Sequence, residues 1–402
     1  MTSPDYQKAL GRRIAAERRR RGLSQPELAR MIDRSVAWVS QVERGVRKVD
    51  RMSVLETVAA ALDIPLAELA AEAPVVAAVT EEPPCAGRLR LILSGAHALR
   101  AMLDGPRAPA LRTLRTRTHQ AWELTHAGRY TELTDLLGGL VPDLESSART
   151  VPESQRAEAF ELLATTYQAC SAALAEIGEP DAAWIAADRA MAAAERANNA
   201  MLVAAGAFRL VFVFITSRHY DQAEETARTA AAALCPKADQ GEPQAMSLWG
   251  GLTLQRAIIA ARVNDADTAY SELERAGEIA GRLGDGHNEF NTEFGPVNVR
   301  LYEIAVAVEL GDAGRALRAA ATVDTSGLSA ERQARMLIDV ARAHVQRRQI
   351  SEAVAALVQA EDITPELIRG HDLARQLVSD LLTMQDPPNS ELRGLAERLT
   401  AG

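Results

Sequence analysis

LSQPELARMIDRSVAWVSQVERG, residues Leu23 to Gly45, decides how the rest of this chain is read. Ser24 stands where an N-cap would, and Glu27 follows three residues on, so its carboxylate can return to the N–H of the cap. Pro26 falls in the first turn, where a missing donor costs little. Leu28, Met31 and Ile32 then supply a short apolar face, and Asp33-Arg34 makes a turn. Ser35 caps a second helix from Val36 to Arg44, and Gly45 ends it as a C′ residue would. Val39 and Val42 face inward, which leaves Val36, Ala37, Trp38, Ser40 and Gln41 outward or sideways near the N-terminal end. A helix offered by its N-terminal end on a basic scaffold is how a helix-turn-helix enters a major groove.

The flanks extend the pattern. Residues 6–21 read as a helix with Ala9, Leu10, Ile14 and Ala15 inside, and Arg18 to Arg21 at its end suit the helix dipole and can reach phosphates. Ser53 begins a further helix through Leu62, and Pro65 opens a short fifth one. The set resembles the Cro/C1 (Xre) family of helix-turn-helix proteins over about residues 6 to 70. The residues that carry the likeness are Leu23-Ser24-Gln25, Leu28-Ala29, Ser35, Val39-Ser40, Val42 to Gly45, and later Leu55, Ala59 and Ala61-Leu62. The resemblance implies a five-helix, lambda-repressor-like domain that binds double-stranded DNA. It also implies that Arg13 pairs with Glu43, the glutamate ending the recognition helix.

Charge divides the chain the same way. Residues 1–70 hold 13 of the 45 Lys+Arg and 9 of the 54 Asp+Glu, a net +4, so the other 332 residues carry −13. A basic head on an acidic body fits a nucleic-acid-binding module joined to something that repels DNA. At 402 residues the chain suits two or three domains. Cys85, Cys170 and Cys235 are scattered, with no C-x-x-C pair, which argues for a reducing compartment and against a disulfide frame or zinc ribbon. The longest apolar run, Leu210 to Ile215, is too short to span a bilayer, and no signal peptide is evident; a soluble, cytoplasmic protein without a membrane partner is expected.

Residues 71–86 are rich in alanine, proline and acid and read as a linker; Gly87 to Leu103 could form a connecting helix. From about residue 110 only helical periodicity remains. Six similar turns recur: HAGRYTEL (126–133), EIGEPDAA (176–183), TSRHYDQA (216–223), RVNDADTA (262–269), ELGDAGRA (309–316) and QRRQISEA (346–353). Five end in alanine, at 183, 223, 269, 316 and 353, where a small residue lets two helices approach closely. The units resemble the tetratricopeptide family, whose period is shorter and stricter. The expected fold is all-α: a helix-turn-helix domain (1–70), a linker and connecting helix (71–110), and a tetratricopeptide-like α-solenoid (111–402) curled around a concave groove.

Catalytic signatures are missing. The chain holds no G-x-x-x-x-G-K-[ST], H-E-x-x-H or G-x-S-x-G, and its seven histidines fall at no ligand spacing. No enzyme, metal or cofactor is expected. In the head, Gln25 suits a phosphate or base edge, and Arg34, Ser35, Val36, Ala37, Trp38 and Gln41 are the candidates at the groove. Trp38 and Ala37 offer apolar surface to a thymine methyl, and Gln41 could read adenine through two hydrogen bonds. Arg47, Lys48 and Arg51 would grip phosphates. The competing reading has Trp38 in the core of the head and Gln41 merely solvated.

In tetratricopeptide folds the concave face is a stripe of each first helix. Counted back from the turns, that stripe takes in Arg115, Trp122, Thr165, Gln168, Phe208, Phe212, Leu254, Asn298, Leu301, Arg335, Arg342 and Gln346. Trp122, Gln168, Phe208, Phe212, Asn298, Arg335 and Arg342 are the candidate ligand contacts; their aromatic, amide and arginine chemistry suits an extended peptide or amphipathic small molecule. The competing reading makes them packing and surface residues. GDGHNEFNTEFGP (284–296) is read either as a ligand-closing loop or as an ordinary connection. A Cro/C1-like head before helical repeats resembles the peptide-responsive tetratricopeptide regulators of Gram-positive bacteria. That likeness implies a homodimeric, quorum-sensing transcription regulator whose repeats hold a signalling peptide and so set the spacing of two heads. A DNA-recruited docking scaffold, or an antitoxin or phage-type repressor, is the alternative.

Overall fold

The computed structural model describes residues 4–47, 49, 52–62, 64, 85–94, 109–385 and 388–400, which form twenty α-helices and no strand. The head holds α1 (Pro4–Arg20), α2 (Gln25–Met31), α3 (Val36–Glu43) and α4 (Met52–Ala61). Ser24 and Glu27 form the expected capping box on α2, and the Ser35 hydroxyl accepts from the Trp38 N–H at the start of α3. Leu10, Ile14, Leu28, Ile32, Val39, Val42, Val58 and Leu62 close a single core. Met31 does not join it: the side chain is 52% exposed, because the helix has already turned past the core at its last residue. The fifth helix expected from Pro65, residues 71–84 of the expected 71–86 linker and residues 95–103 of the expected 87–103 helix lie outside the described residues. The portion described there, α5 (Ala86–Ile92), buries Leu89 and Ile92 in the solenoid core, and Arg90 pairs with Glu179.

Twelve helices then pair as six hairpins. They are α6 (Leu111–His126) with α7 (Tyr130–Thr150), α8 (Glu153–Glu176) with α9 (Pro180–Arg196), and α10 (Ala200–Thr216) with α11 (Tyr220–Asp239). α12 (Pro243–Arg262) pairs with α13 (Ala266–Leu283), α14 (Pro296–Glu309) with α15 (Ala313–Ala320), and α16 (Ala330–Gln346) with α17 (Ile350–Ile363). All six expected turns are the hairpin turns. Each has its third residue at positive φ: Gly128, Gly178, Arg218, Asn264, Gly311 and Arg348. The next N–H reaches back to the carbonyl five residues earlier, as Arg129 does to Leu124 and Asp312 to Ala307, which is the Schellman closure of a helix end. The five alanines that follow these turns are fully buried, so each second helix lies close against its first.

The first helices pack in succession, and the row returns on itself, with α16 contacting α6. Short C-terminal helices α18 (Pro365–Gly370), α19 (Asp372–Met384) and α20 (Ser390–Thr400) complete the closure. Thr131 donates to Glu366, and Arg335 of α16 bonds Glu176 of α8 at 3.1 Å. The solenoid thus closes into a ring whose centre is lined by first-helix side chains, so that the expected concave groove becomes a central recess.

Candidate nucleic-acid interface and central recess

Ser35, Val36 and Ala37 stand exposed at the N-terminal end of α3, Val36 at 45%. Trp38 lies in the core of the head, 6% exposed, with the Arg34 guanidinium 5.9 Å from its ring. Gln25 donates to Glu43 at 2.8 Å. The partner of Glu43 on α1 is Arg18 rather than Arg13: Arg18 Nε and Nη2 reach both carboxylate oxygens at 2.5 and 2.9 Å, and Nη1 reaches the Leu23 carbonyl at 2.6 Å. Arg18 lies on the last turn of α1, where one guanidinium can tie α1, the α1–α2 turn and α3 together. Against the cost of burial, Arg18 and Gln25 hold the Glu43 carboxyl below its usual range. Gln41 and Arg47 are hydrogen-bonded to the solenoid, as is Arg34. Lys48 and Arg51 lie outside the described residues.

Ring closure builds a second feature. A small recess of about 40 Å³, partly open to solvent, lies at the centre. Trp122, Phe208, Phe212 and Arg335 line it, four of the seven expected ligand contacts. The other three lie elsewhere. Gln168 is buried and donates to the Leu202 carbonyl; Arg342 pairs with Glu309 and Asp339. Asn298 is 3% exposed, with its Oδ1 buried and without a hydrogen-bond partner.

Around the aromatic walls the lining is charged in both signs. Glu176, Glu293 and Glu331 face Arg209, Arg332 and Arg335. Arg335 bridges Glu176 and Glu331 at 3.1 and 3.4 Å, and Arg332 reaches Glu293 at 3.4 Å. Among the described residues no carboxylate pairs with Arg209. Its guanidinium lies 4.7 Å from the Trp122 ring and 4.9 Å from Phe208, and donates to the carbonyls of Phe290 and Asn291 at 3.1 and 2.7 Å. Burial, and then Arg332, work against its charge. Burial likewise pushes the Glu176 carboxyl up and lowers His126. His371, 3.9 Å from Glu176, is lowered to about 3, chiefly by burial and then by Arg335.

The 284–296 segment closes one wall. Phe290, Asn291 and Glu293 all take positive φ there, a conformation that costs a non-glycine residue energy and persists only where surroundings enforce it. Glu293 holds Ser329 through N–H and hydroxyl at 3.0 and 2.9 Å, and Phe294 is fully buried. The stretch was singled out in the sequence; Arg209, Glu176 and Glu331 were not. Only ring closure brings those three together, and no local spacing encodes it. Among the described residues no three His, Cys, Asp or Glu side chains gather as a metal site, and no helix is long and apolar enough to cross a membrane.

Residues 9–71 match the family model described as a helix-turn-helix domain. Nothing among curated proteins matches the chain. Among solved structures, PlcR of Bacillus thuringiensis, in complex with the peptide PapR7 and DNA, is similar over 75% of this chain and 99% of that one, with 14% identity and a TM-score of 0.28. The chain carries a helix-turn-helix domain ahead of an all-α body of paired helices.

Proposed function

We propose that this protein is a sequence-specific DNA-binding transcriptional regulator whose ring of repeats senses a ligand. The observation that carries the reading is the exposed start of α3, Ser35 to Ala37, on a head matched as a helix-turn-helix domain. Ser35 caps the helix, so its first N–H groups and positive dipole end lie at the edge that would meet phosphates and bases. One head makes few base contacts. A homodimer would set two heads on half-sites about 34–36 Å apart, one helical turn of DNA.

For the ring, the central recess supports an amphipathic ligand, a peptide segment or small molecule with an anionic group. Arg209 would meet the anion and the Trp122, Phe208 and Phe212 rings its apolar part. The recess, about 40 Å³, holds a few waters at most. A larger ligand must part the ring, which gives binding a structural consequence.

Selection of the full-length chain on randomised duplexes, followed by sequencing, tests the DNA-binding reading. A two-fold-related consensus is expected. A pool that stays random at moderate salt rejects the reading.

A further inference from the structure

Part of the reading side of the head rests on the solenoid. Arg34 Nη1 donates to the Val263 carbonyl at 3.2 Å, Gln41 Nε2 to Gly311 at 3.2 Å, and Arg47 Nη2 to Glu309 at 2.8 Å. These acceptors sit at the C-terminal ends of α12 and α14. A helix end leaves carbonyls without intrahelical donors and carries the negative end of the macrodipole. The Glu309 carboxylate stands close enough to support the charge of Arg47. Acceptor oxygens backed by negative charge are also what a phosphate backbone offers such a surface.

The fit is close but incomplete. Arg47 is half-buried, and burial lowers its guanidinium to about 10 against the pull of Glu309. Gln41 is 7% exposed, and its Oε1 is buried with no hydrogen-bond partner. Adenine in a major groove would engage both ends of that amide, whereas the solenoid engages one.

We propose that the solenoid holds the DNA-reading side of its own head on the ends of α12 and α14, so that duplex DNA and the solenoid compete for Arg34, Gln41 and Arg47. The inference rests on the DNA-binding reading and adds its control. The docking site is also wired to the recess. Glu309 pairs with Arg262 and with Arg342 of α16 at 2.9 and 2.7 Å, and α16 carries Glu331, Arg332 and Arg335 into the centre of the ring. A ligand that moves α16 moves a support of the surface on which the head sits.

Gly311→Arg in the full-length chain separates the two partners and leaves the head unaltered. Gly311 has φ +82°, and arginine already occupies the equivalent turn position at 218 and 348 with φ 64° and 59°. A Cβ at 311 lies 3.0 Å from Gln41 Nε2 and 3.4 Å from Arg47 Nη1, so the new side chain fills the docking place and repels Arg47. Affinity for a randomised duplex pool at fixed salt should rise by about tenfold or more, because docking withdraws most heads from binding. Equal affinity, or weaker binding by the variant, overturns the self-occlusion and leaves the DNA-binding reading intact. No binding by either protein rejects both. Should the variant misfold, hydrogen exchange of the unmodified chain decides. Adding the pool should speed exchange in the 262–265 and 309–313 turns, and unchanged or slower exchange there overturns the proposal.

Discussion

The Arg47 guanidinium donates to the carbonyl of Glu309 at 2.8 Å across 262 residues of sequence. The Glu309 side chain, on the same residue, is fixed between Arg262 and Arg342. One residue thus serves the head through its backbone and the ring through its carboxylate.

Glu309→Gln tests the second role. Removing one member of a buried ion cluster leaves guanidiniums without their counter-charge, at a cost of about 3–5 kcal/mol. Against burial, Arg262 and Arg342 lower the carboxyl from 4.5 to about 2. A depressed carboxylate contributes stability that is complete above the unfolded pKa and is lost as pH falls through the folded one. Denaturant titrations should show less stability near neutrality for the variant, and a smaller decline between pH 4.5 and 2 than the parent shows.

His371 gives the opposite residue type and a different window. Half-buried and neutral, with a pKa of about 3, it leaves the unfolded chain binding the extra proton below pH 6.5. The stability it contributes is complete above 6.5 and falls, by up to about 1.4 kcal/mol per pH unit, as pH drops toward 3. His371→Gln should flatten the slope of unfolding free energy between pH 6.5 and 4.5. An unaltered slope would mean that His371 is charged in the fold.

Gly250 faces the ring of Phe294, whose atoms lie 2.0 to 2.5 Å from where a Cβ would stand. Gly250→Ala should force Phe294 out of its site and free the 284–296 wall of the recess. Overpacking of this kind costs about 1–3 kcal/mol. Thermal melting should fall accordingly, and limited proteolysis should find a new cut between residues 284 and 296.

Ala37 is exposed at the start of α3, so a substitution there bears on DNA and not on the core. Ala37→Glu sets a carboxylate toward phosphates and base edges. Binding to any duplex should fall at least about tenfold, with melting unchanged to within about 0.5 kcal/mol. An unaffected affinity would place the reading edge elsewhere.

The hairpins were legible because each turn repeats a local requirement: a left-handed third residue, met by glycine, asparagine or arginine, and a small residue where helices meet. Ser24, Glu27 and Ser35 marked the head in the same local way. Ring closure was not legible. Glu176 and Arg335 are 159 residues apart, and nothing near either shows that α8 and α16 face each other. The same holds for Gln41 and Arg47, whose composition signals DNA and whose partners here are carbonyls that every residue possesses. Arg18 and Arg13 both lie on α1, and only the packed geometry shows which reaches Glu43.

The sharpest measurement is the affinity of the full-length chain and of Gln41→Ala for a selected duplex and its single base-pair variants, at one salt concentration. If Gln41 of α3 reads a base in the groove, the substitution abolishes the preference at one base pair, a loss of about 1–3 kcal/mol in discrimination, and leaves the others standing. A variant that keeps the same preference at every position would contradict the account.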